Sequence, residues 1–419
     1  MNGKKHEPKK NIFYGLMHFF KSDNKQKNNI SEHVQHFTIM HFPRVIMLEI
    51  LSRLPIKSIF QCKIVCKLWY HLLTSDPLFV KMNQTRSHNI PCILLSNGDY
   101  SISSILELKA GYDYYSCRRN RPIVLSHKFH LPPGELPLRV VSSCNGLLCL
   151  VSGRIRYENH SIYINNPLLG ECFKLRLPEW KKSLCPLTYR FRFSESSEQY
   201  KVLRFAVMFG GIRDVVELEI LTLGVDEKWR YVGIVPRPVW FFYEKIYVNG
   251  AIHWMDCENP SSVVRINSFN IATEEAKTLP APPGLENSTS SWTLAELGNC
   301  LCLIDIIAFD PFDIWWMKEY GIAESWIKDR IHGNGIPAAI RCVTLAPFII
   351  WKDGEMLMQT DSDSIRLVSY SRKENKYRRV KVYGNGSARS ICIPTYYSLK
   401  TVMGDNFQVS YVYPKIEIA

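Results

Sequence analysis

Few residues of this 419-residue chain are arranged as catalytic groups usually are. His253 lies next to Trp254 in the segment AIHWM, and Asp310 and Asp313 flank a Pro-Phe pair. A histidine can act as a general base, and two carboxylates can divide acid and base roles between them. Because His253 lies on a strand-like segment and the aspartates lie in a turn-like sequence, packing and turn capping are the favoured interpretations.

The thirteen cysteines include no CxxC pair. Cys144 with Cys149, or Cys300 with Cys302, could in principle bind a metal, but their apolar neighbours favour burial as free thiols. Scattered cysteines of this kind suit a reducing compartment. The chain also lacks GxSxG, HExxH and GxxxxGK[ST] motifs. We therefore expect a protein that is not an enzyme, with no cofactor and no metal.

The net charge of +13 is partly concentrated at the front of the chain. Residues 1–30 hold seven lysines against Glu7 and Asp23, which contributes +5 and leaves +8 for the rest. No nucleic-acid motif accompanies this excess, so no dedicated nucleic-acid site is expected. The apolar run Ile12–Phe20 is too short to span a bilayer. We predict a basic, disordered leader over residues 1–39 and a soluble protein of the cytoplasm, the nucleus or both.

The chain from Ile90 onward has a repeating pattern of strands and tight turns. Val216, Leu218 and Ile220 alternate with Glu217 and Glu219, as in a strand with one buried face. Four turn-forming pairs are followed by apolar runs: Asn145-Gly146, Asn249-Gly250, Gly298-Asn299 and Asp353-Gly354.

The turn glycines reveal the length of the repeat. Gly250 follows Gly146 by 104 residues, and Gly354 follows Gly250 by the same distance. Gly298 lies near the middle of the interval from Gly250 to Gly354. Each unit of roughly fifty residues holds two hairpins, the content of a β-propeller blade. With an irregular unit at Ile90–Pro133, the pattern predicts about six four-stranded units.

A short helical segment precedes these repeats. Its apolar residues at helical spacing form three groups: Ile46, Ile50, Leu51 and Leu54; Ile59 and Cys62; Val65, Trp69, Leu72 and Leu73. Pro55 ends the first helix and Asp76-Pro77 closes the set. Three short helices bury little surface between themselves. Either they cap the β region, or part of their apolar surface binds another protein.

The order of residues in this segment resembles the plant F-box. The matching positions are Pro43, Glu49-Ile50-Leu51, Arg53-Leu54-Pro55, Lys57-Ser58, Val65-Cys66-Lys67 and Trp69. Phe42 replaces the usual leucine, and Val45 replaces the usual acidic residue. The second change removes a charge that suits a helix N-terminus, which makes the strength of adaptor binding the open question.

The remainder resembles the F-box-associated interaction domain of a large plant family that includes the S-locus F-box proteins. The segments that carry this resemblance are Ser142–Leu150, Tyr163–Pro178, Tyr200–Phe205, Val248–Met255 and Asp313–Asp329. The resemblance implies a mainly β protein, with a three-helix F-box at residues 40–84 and a kelch-like β-propeller at residues 90–414.

F-box proteins bind a Skp-type adaptor and, through it, a cullin and a RING subunit. The resemblance therefore implies a substrate-recognition subunit of an SCF-type E3 ubiquitin ligase. The side chains expected to contact the adaptor are Phe42, Pro43, Ile46, Ile50, Leu54, Pro55, Val65 and Trp69. Trp69 also fits an alternative role in the internal core of the F-box.

Target recognition is expected on propeller loops that combine aromatic and basic side chains. The candidates are Tyr112, Tyr114, Tyr115, Arg118 and Arg119, together with Trp240, Phe241 and Phe242, whose rings equally suit blade cores. The sequence also fits two other functions. One is a propeller enzyme or ligand-binding module capped by its helices, and the other is an adaptor-binding scaffold outside ubiquitin transfer.

Overall fold

The computed structural model describes residues 42–63, 65–87, 92–96, 102–107, 123–126, 138–153, 160–178, 184–208, 215–236, 246–256, 265–284, 291–306, 312–331, 345–350, 354–360, 367–380, 387–392, 395–404, 407–411 and 415–417. The chain divides into two compact units, Met1–Met47 and Leu48–Ala419. Residues 42–47, the described part of the first unit, contain the start of the first helix. The second unit holds the other helices and all of the described strands.

Four helices precede the sheets in the described residues: α1 (Arg44–Leu51), α2 (Ile56–Lys63), α3 (Lys67–Thr74) and α4 (Pro77–Ser87). The sequence predicts three, because a Pro after an Asp, as at Asp76-Pro77, is a typical end of a helical segment. That pair instead begins a fourth helix. The Asp76 carboxylate accepts hydrogen bonds from the N–H groups of Leu78, at 3.0 Å, and Phe79, at 3.4 Å. Pro77 occupies the first helical position, where its missing N–H costs nothing.

The β region follows these helices and ends near the chain terminus. Its first strands are β1 (Cys92–Ser96), β2 (Ile102–Glu107), β3 (Ile123–Ser126), β4 (Leu138–Cys144), β5 (Leu147–Ser152), β6 (Ser161–Asn166), β7 (Glu171–Leu175), β8 (Leu184–Ser194), β9 (Gln199–Met208), β10 (Val215–Thr222), β11 (Arg230–Val235), β12 (Ile246–Val248) and β13 (Ala251–Asp256). The later strands are β14 (Arg265–Asn270), β15 (Ala276–Leu279), β16 (Ser291–Leu297), β17 (Cys300–Ile306), β18 (Phe312–Met317), β19 (Trp326–Ile331), β20 (Leu345–Ile350), β21 (Met356–Thr360), β22 (Leu367–Ser371), β23 (Lys376–Val380), β24 (Ser387–Cys392), β25 (Ser410–Tyr411) and β26 (Lys415–Glu417). A short helix, α5 (Leu399–Met403), lies between β24 and β25.

Five antiparallel sheets each contain four strands that follow one another in the described chain: β4–β7, β8–β11, β12–β15, β16–β19 and β20–β23. Strand β25 adds a fifth strand to the first of these sheets. The five sheets are fewer regular units than the six or so that the repeat predicts. The segment Ile90–Pro133 supplies β1, β2 and β3 to a composite sheet, which β24 and β26 from the C-terminal part complete. A local repeat could not reveal this sheet, because its strands come from both ends of the domain.

The tight turns that reveal the repeat take the expected backbone conformation. Asn145 and Gly146 have φ of 46° and 79°, and Asn249 and Gly250 have φ of 51° and 74°. Positive φ at both central residues is the geometry that joins two antiparallel strands with the right twist, and Asn-Gly favours it. Each turn connects the first and second strands of its sheet.

Successive sheets pack against one another through apolar side chains. Strands β5 and β6 pack against β8 and β9, where Ile162, Ile164, Phe191 and Val202 are buried. Further clusters join the β8–β11 sheet to β12–β15, the β12–β15 sheet to β16–β19, and the β16–β19 sheet to β20–β23. Strand β1 of the composite sheet packs on the β4–β7 sheet. Sheets that pack in this sequence form a propeller-like domain, in which both faces of an inner sheet are covered.

Candidate functional site

Helix α3 has one buried stripe with an exposed apolar side chain on each flank. Trp69, Leu72 and Leu73 are buried, at the i, i+3, i+4 spacing of a packed helical face. Leu68 and Tyr70 lie beside this stripe and are 44% and 42% exposed. The apolar content of α3 therefore exceeds what its own packing uses.

Helix α1 shows the same division. Met47, Leu48 and Leu51 are buried, whereas Ile46 and Ile50 are 44% and 38% exposed. The sequence pattern groups Leu51 with Ile46 and Ile50 on one apolar face, and this grouping is wrong. Leu51 is turned inward with Leu48, while Ile50, its sequence neighbour, is exposed.

The second unit thus carries a group of exposed apolar side chains on and beside its helices. We call this group the exposed apolar set; it consists of Ile50, Val65, Leu68, Tyr70 and Leu78. In the first unit, Phe42, Val45 and Ile46 are exposed as well. These side chains lie close together along the chain, and exposed apolar residues at such a density are typical of a protein-binding segment.

The structure divides the eight predicted adaptor contacts into three groups. Phe42, Pro43, Ile46, Ile50 and Val65 are exposed, and Leu54 and Pro55 are half-buried. Trp69 is only 5% exposed, and its indole Nε1 makes no hydrogen bond within the described part of the chain. Its position favours the alternative role in the internal core of the helices. Burying a large ring stabilises a helical group this small more than exposing it would.

Sequence reasoning missed three members of the exposed apolar set: Leu68, Tyr70 and Leu78. Leu68 and Tyr70 are the sequence neighbours of buried Trp69, and a helix rotates each neighbour about 100° away from the buried side. Once Trp69, Leu72 and Leu73 are assigned to the core, that rotation identifies Leu68 and Tyr70. Leu78 lies in the first turn of α4, a helix that was not predicted.

The predicted target-binding residues lie outside the described residues: Tyr112, Tyr114, Tyr115, Arg118, Arg119, Trp240, Phe241 and Phe242. The described sheets expose a few large apolar side chains of their own. Val225, Tyr231 and Ile234 are exposed near or on β11, as are Ile322 and Ile327 near or on β19. Both strands form the outer edge of their sheets.

His253 is fully buried on β13. Its Nε2 lies 2.7 Å from the Tyr320 hydroxyl, and its Nδ1 lies 3.2 Å from the carbonyl oxygen of Ile246. Burial lowers the pKa of His253 to about 4, because the charged imidazolium would lose its water. Both ring nitrogens are engaged by this chain, so His253 joins β13 to its neighbours rather than facing a substrate.

Asp313 lies within β18 and not in the turn that the sequence suggested. Its side chain is fully buried, and Arg330 donates two hydrogen bonds to it, at 2.7 and 2.9 Å. Lys328 Nζ lies 2.7 Å from the same carboxylate. Hydrogen bonds from Arg330 are the main reason that the pKa of Asp313 lies below its usual value. The carboxylate therefore ties β18 to β19; Asp310, its proposed acid partner, lies outside the described residues.

The two cysteine pairs lie on strands near tight turns. Cys149 and Cys302 are fully buried, and Cys144 and Cys300 are half-buried. Burial raises the pKa of Cys144 to about 11 and that of Cys149 to about 12. Such thiols are protonated at neutral pH, the form that packs like a small apolar side chain.

Comparison with known families gives two matches. Residues 39–81 match the F-box domain, and residues 110–406 match the F-box associated beta propeller domain. An Arabidopsis thaliana F-box protein is 28% identical over 383 residues, which cover 82% of this chain and 88% of that protein. An Arabidopsis thaliana F-box/kelch-repeat protein is 28% identical over 300 residues, which cover 70% of this chain and 79% of that protein.

Solved structures show only a distant likeness. A fucoside-bound Aleuria aurantia lectin aligns with 74% of this chain and 97% of its own, at 10% identity and a TM-score of 0.34. An exo-beta-1,3-galactanase from Phanerochaete chrysosporium aligns with 60% of this chain and 63% of its own, at 10% identity and a TM-score of 0.35.

Among the described helices, none is both long enough and apolar enough to cross a membrane.

Proposed function

Because this chain belongs to the family of F-box proteins with an F-box associated β-propeller domain, we propose that it is a substrate-recognition subunit of an SCF-type ubiquitin ligase. Its helices bind a Skp-type adaptor, and through the adaptor a cullin and a RING subunit. Its propeller holds a target protein. Proteins of this family are generally non-catalytic, and the chain contributes no reacting group to ubiquitin transfer.

The exposed apolar set is the observation that carries this proposal. Leu48, Leu51, Ile59 and Leu73 already fill the interior of the helices, yet Ile50, Val65 and Leu68 remain in solvent. A stable protein interface buries roughly 800 Å² on each partner around a few apolar anchors. In the second unit, the proposed contact comprises the exposed apolar set together with the half-buried Leu54 and Pro55. Phe42, Pro43 and Ile46 of the first unit are proposed as further adaptor contacts.

The proposed mechanism is tethering. A RING subunit brings a ubiquitin-charged conjugating enzyme to the complex, and the propeller holds a target lysine nearby. Holding two reactants together replaces an encounter in solution by a nearly intramolecular step. Tethering requires no catalytic group from this chain, in which His253 and Asp313 connect strands of the sheets.

We place the protein in the cytoplasm, the nucleus or both, where thiols such as Cys149 and Cys302 stay reduced.

One residue supports a second candidate, an adaptor-binding scaffold outside ubiquitin transfer. Val45 stands where the family pattern has an acidic residue, and its side chain is 61% exposed. A missing carboxylate at the start of α1 removes a favourable charge from the helix N-terminus and from the adjacent surface. Weakened adaptor binding would leave the chain outside the ligase for much of the time.

The test uses the purified full-length chain with a plant Skp-type adaptor, a cullin and a RING subunit. We expect a stoichiometric complex in size-exclusion chromatography, and ubiquitin transfer to a target recovered by proximity labelling. In the double variant Val65→Asp/Leu68→Asp, the charged groups enter the proposed contact, so the complex is lost. Tyr231→Asp adds a charge to an exposed position on β11 and should leave the complex intact.

Each outcome separates the candidates. A complex that forms but supports no transfer to any recovered target indicates the scaffold. A complex that survives Val65→Asp/Leu68→Asp contradicts the proposed surface. Restoring the acidic residue with Val45→Asp should strengthen adaptor binding by a few fold, which calorimetry with the adaptor alone measures.

A further inference from the structure

Three separate parts of the chain meet at the turn between β6 and β7. They are this turn itself, the end of helix α2 with the start of α4, and residues 395–399 near the C-terminus. All three lie within the Leu48–Ala419 unit. The turn is shaped by Asn166, whose side-chain oxygen accepts hydrogen bonds from the N–H groups of Leu168, at 2.9 Å, and Leu169, at 3.1 Å.

The turn holds residues 395–399 through two buried side chains. Asn166 donates from its amide nitrogen to the carbonyl oxygens of Thr395, at 3.2 Å, and Tyr397, at 2.8 Å. Glu171 accepts hydrogen bonds from the Ser398 hydroxyl, at 2.7 Å, and from the Leu399 N–H, at 2.6 Å. These bonds fix the C-terminal segment on the β4–β7 sheet more than two hundred residues away in sequence. Charge-assisted bonds to a buried carboxylate are among the stronger ones in proteins.

The helices rest on the segment that is held in this way. Tyr396 is 1% exposed, and its ring meets the ring of Phe79 from α4 edge to face, with centroids 5.2 Å apart. Lys63, the last residue of α2, places Nζ 5.2 Å from the centre of the same ring and donates to the carbonyl oxygen of Leu168 at 2.8 Å. Tyr396 is thus contacted by two helices, while its neighbours are held by the sheet.

Helix α2 makes a second contact with the sheets at its other end. Ile56 packs on an apolar cluster formed by β1 and the β4–β7 sheet, which includes Cys92, Leu148 and Cys172. Burial of its amine lowers the pKa of Lys63 to about 7, because the charged form loses water. The negative charge of Glu171 acts in the opposite direction and raises that pKa. Both ends of α2 are therefore held by the propeller, at Ile56 and at Lys63.

We propose that residues 395–399 form a clasp that keeps helices α2 and α4 docked on the propeller, with Tyr396 and Lys63 as its positioning residues. The clasp thereby fixes the helices, which carry the proposed adaptor contact, to the propeller, which carries the proposed target contact. Given the proposed function, it holds a captured target at a set distance from the adaptor. The docking itself does not depend on that function, because every contact in the clasp is within this chain.

Hydrogen exchange of the full-length chain, measured by mass spectrometry, tests the clasp. In Tyr396→Ala the ring is lost, so amides of α2 and α4 should exchange about ten or more times faster while those of β9 and β10 are unchanged. Lys63→Met keeps the apolar stem and removes the amine, and should accelerate the same helices to a smaller extent. Tyr396→Phe retains the ring and should restore the slow exchange of the original chain.

Two matched controls separate the clasp from general loss of stability. Tyr377→Ala removes an equally buried tyrosine from the β16–β23 part of the propeller, and Lys277→Met removes an exposed lysine. Neither should accelerate exchange in α2 or α4 more than elsewhere.

Two results overturn the proposal: slow exchange of the helices in Tyr396→Ala, or an equal acceleration in helices and sheets as in a general loss of stability. Adaptor binding is measured separately on the same variants. Its absence in the original chain refutes the proposed function without affecting the exchange result.

Discussion

The helical segment and the sheets differ in which side chains they expose and which they bury. Among the described residues, eight of the thirteen exposed large apolar side chains lie between Phe42 and Leu78, and five lie in all of the sheets and turns that follow. The sheets instead bury charges and pair them, as Arg204 with Glu219 at 2.7 Å and Lys201 with Glu274 at 2.8 Å. Buried charges are tolerated only with such partners.

This difference indicates which contacts stabilise each region. The sheets pair many of their buried charged groups internally, even between neighbouring sheets, since Lys201 on β9 reaches Glu274 in the turn that follows β14. Two sheets also gain an added outer strand from the C-terminal part, β25 on β7 and β26 on β3. Among the described residues, the outward side chains of the helices have no comparable cover. They are the side chains that the proposed adaptor would remove from water.

Trp69→Ala should give the largest change, because it separates the core of the helices from their surface. We expect the free energy of unfolding to fall by about 3–5 kcal/mol, the usual cost of truncating a buried aromatic side chain. Urea denaturation followed by circular dichroism at 222 nm measures it. Leu68→Ala, at the exposed neighbour, should change it by about 0.5 kcal/mol or less. Equal losses in both variants would contradict the assignment of Trp69 to the core and of Leu68 to the surface of α3.

Ile50→Asp should leave the fold intact and weaken binding to a Skp-type adaptor. A charge in a desolvated apolar contact costs about 2–3 kcal/mol, which corresponds to an affinity loss of roughly 30- to 150-fold. Calorimetry with purified adaptor measures it. The matched variant Ile234→Asp places the same charge on the outer strand β11, and there we expect no loss. A similar loss at both positions would mean that the helices have no special role in adaptor binding.

His253 should make the sheets sensitive to acid in a defined range. Its pKa is lowered to about 4 in the folded chain, against a usual value of 6.5. Between these values the unfolded chain binds the additional proton, so stability decreases as the pH falls from about 6.5 to about 4. Linkage gives a loss of roughly 2–3 kcal/mol across this range. His253→Gln should remove that part of the slope in unfolding curves measured at several pH values; an unchanged slope would show that His253 can be protonated in place.

Asp313→Asn should give a smaller loss of stability. The carboxylate is fully buried, but its partners Lys328 and Arg330 have side chains 43% and 50% exposed, so solvent screens part of the attraction. We expect a loss of about 1–2 kcal/mol at neutral pH. The original carboxylate has a lowered pKa, so its contribution is present above its usual pKa and disappears in stronger acid. Asp329→Asn, which breaks a more exposed pair with Arg372, should cost less, and the reverse order would contradict this assignment.

Much of the fold was predictable because its signals are local. Asn145-Gly146 and Asn249-Gly250 specify their turns through backbone sterics alone, and the alternation at Val216, Leu218 and Ile220 specifies which face of β10 is buried. The composite sheet was not predictable, because no local pattern joins β1 to β24. The fourth helix was missed for a different reason: Asp76-Pro77 follows closely on the end of α3 at Thr74, so a pair that begins a helix has the same pattern as one that closes the set.

The candidate site was predictable in part. The sequence pattern identified Ile46, Ile50 and Val65 as apolar and available for contact, and they are exposed. It could not separate Trp69 from them, since a helix of eight residues with apolar side chains on several sides has no single marked face. The target-binding candidates Tyr112 to Arg119 and Trp240 to Phe242 stay predictions.

The sequence by itself determined the local geometry of this protein: its strands, its turns, its short helices and the family pattern that connects them. These depend on interactions between residues close in the chain, where spacing is visible. Only the tertiary structure decided which apolar side chains are left over, and that residues near the C-terminus lie against helices near the front. Both depend on which surfaces meet after the chain has closed, and burial is a property of that closed arrangement rather than of any short segment.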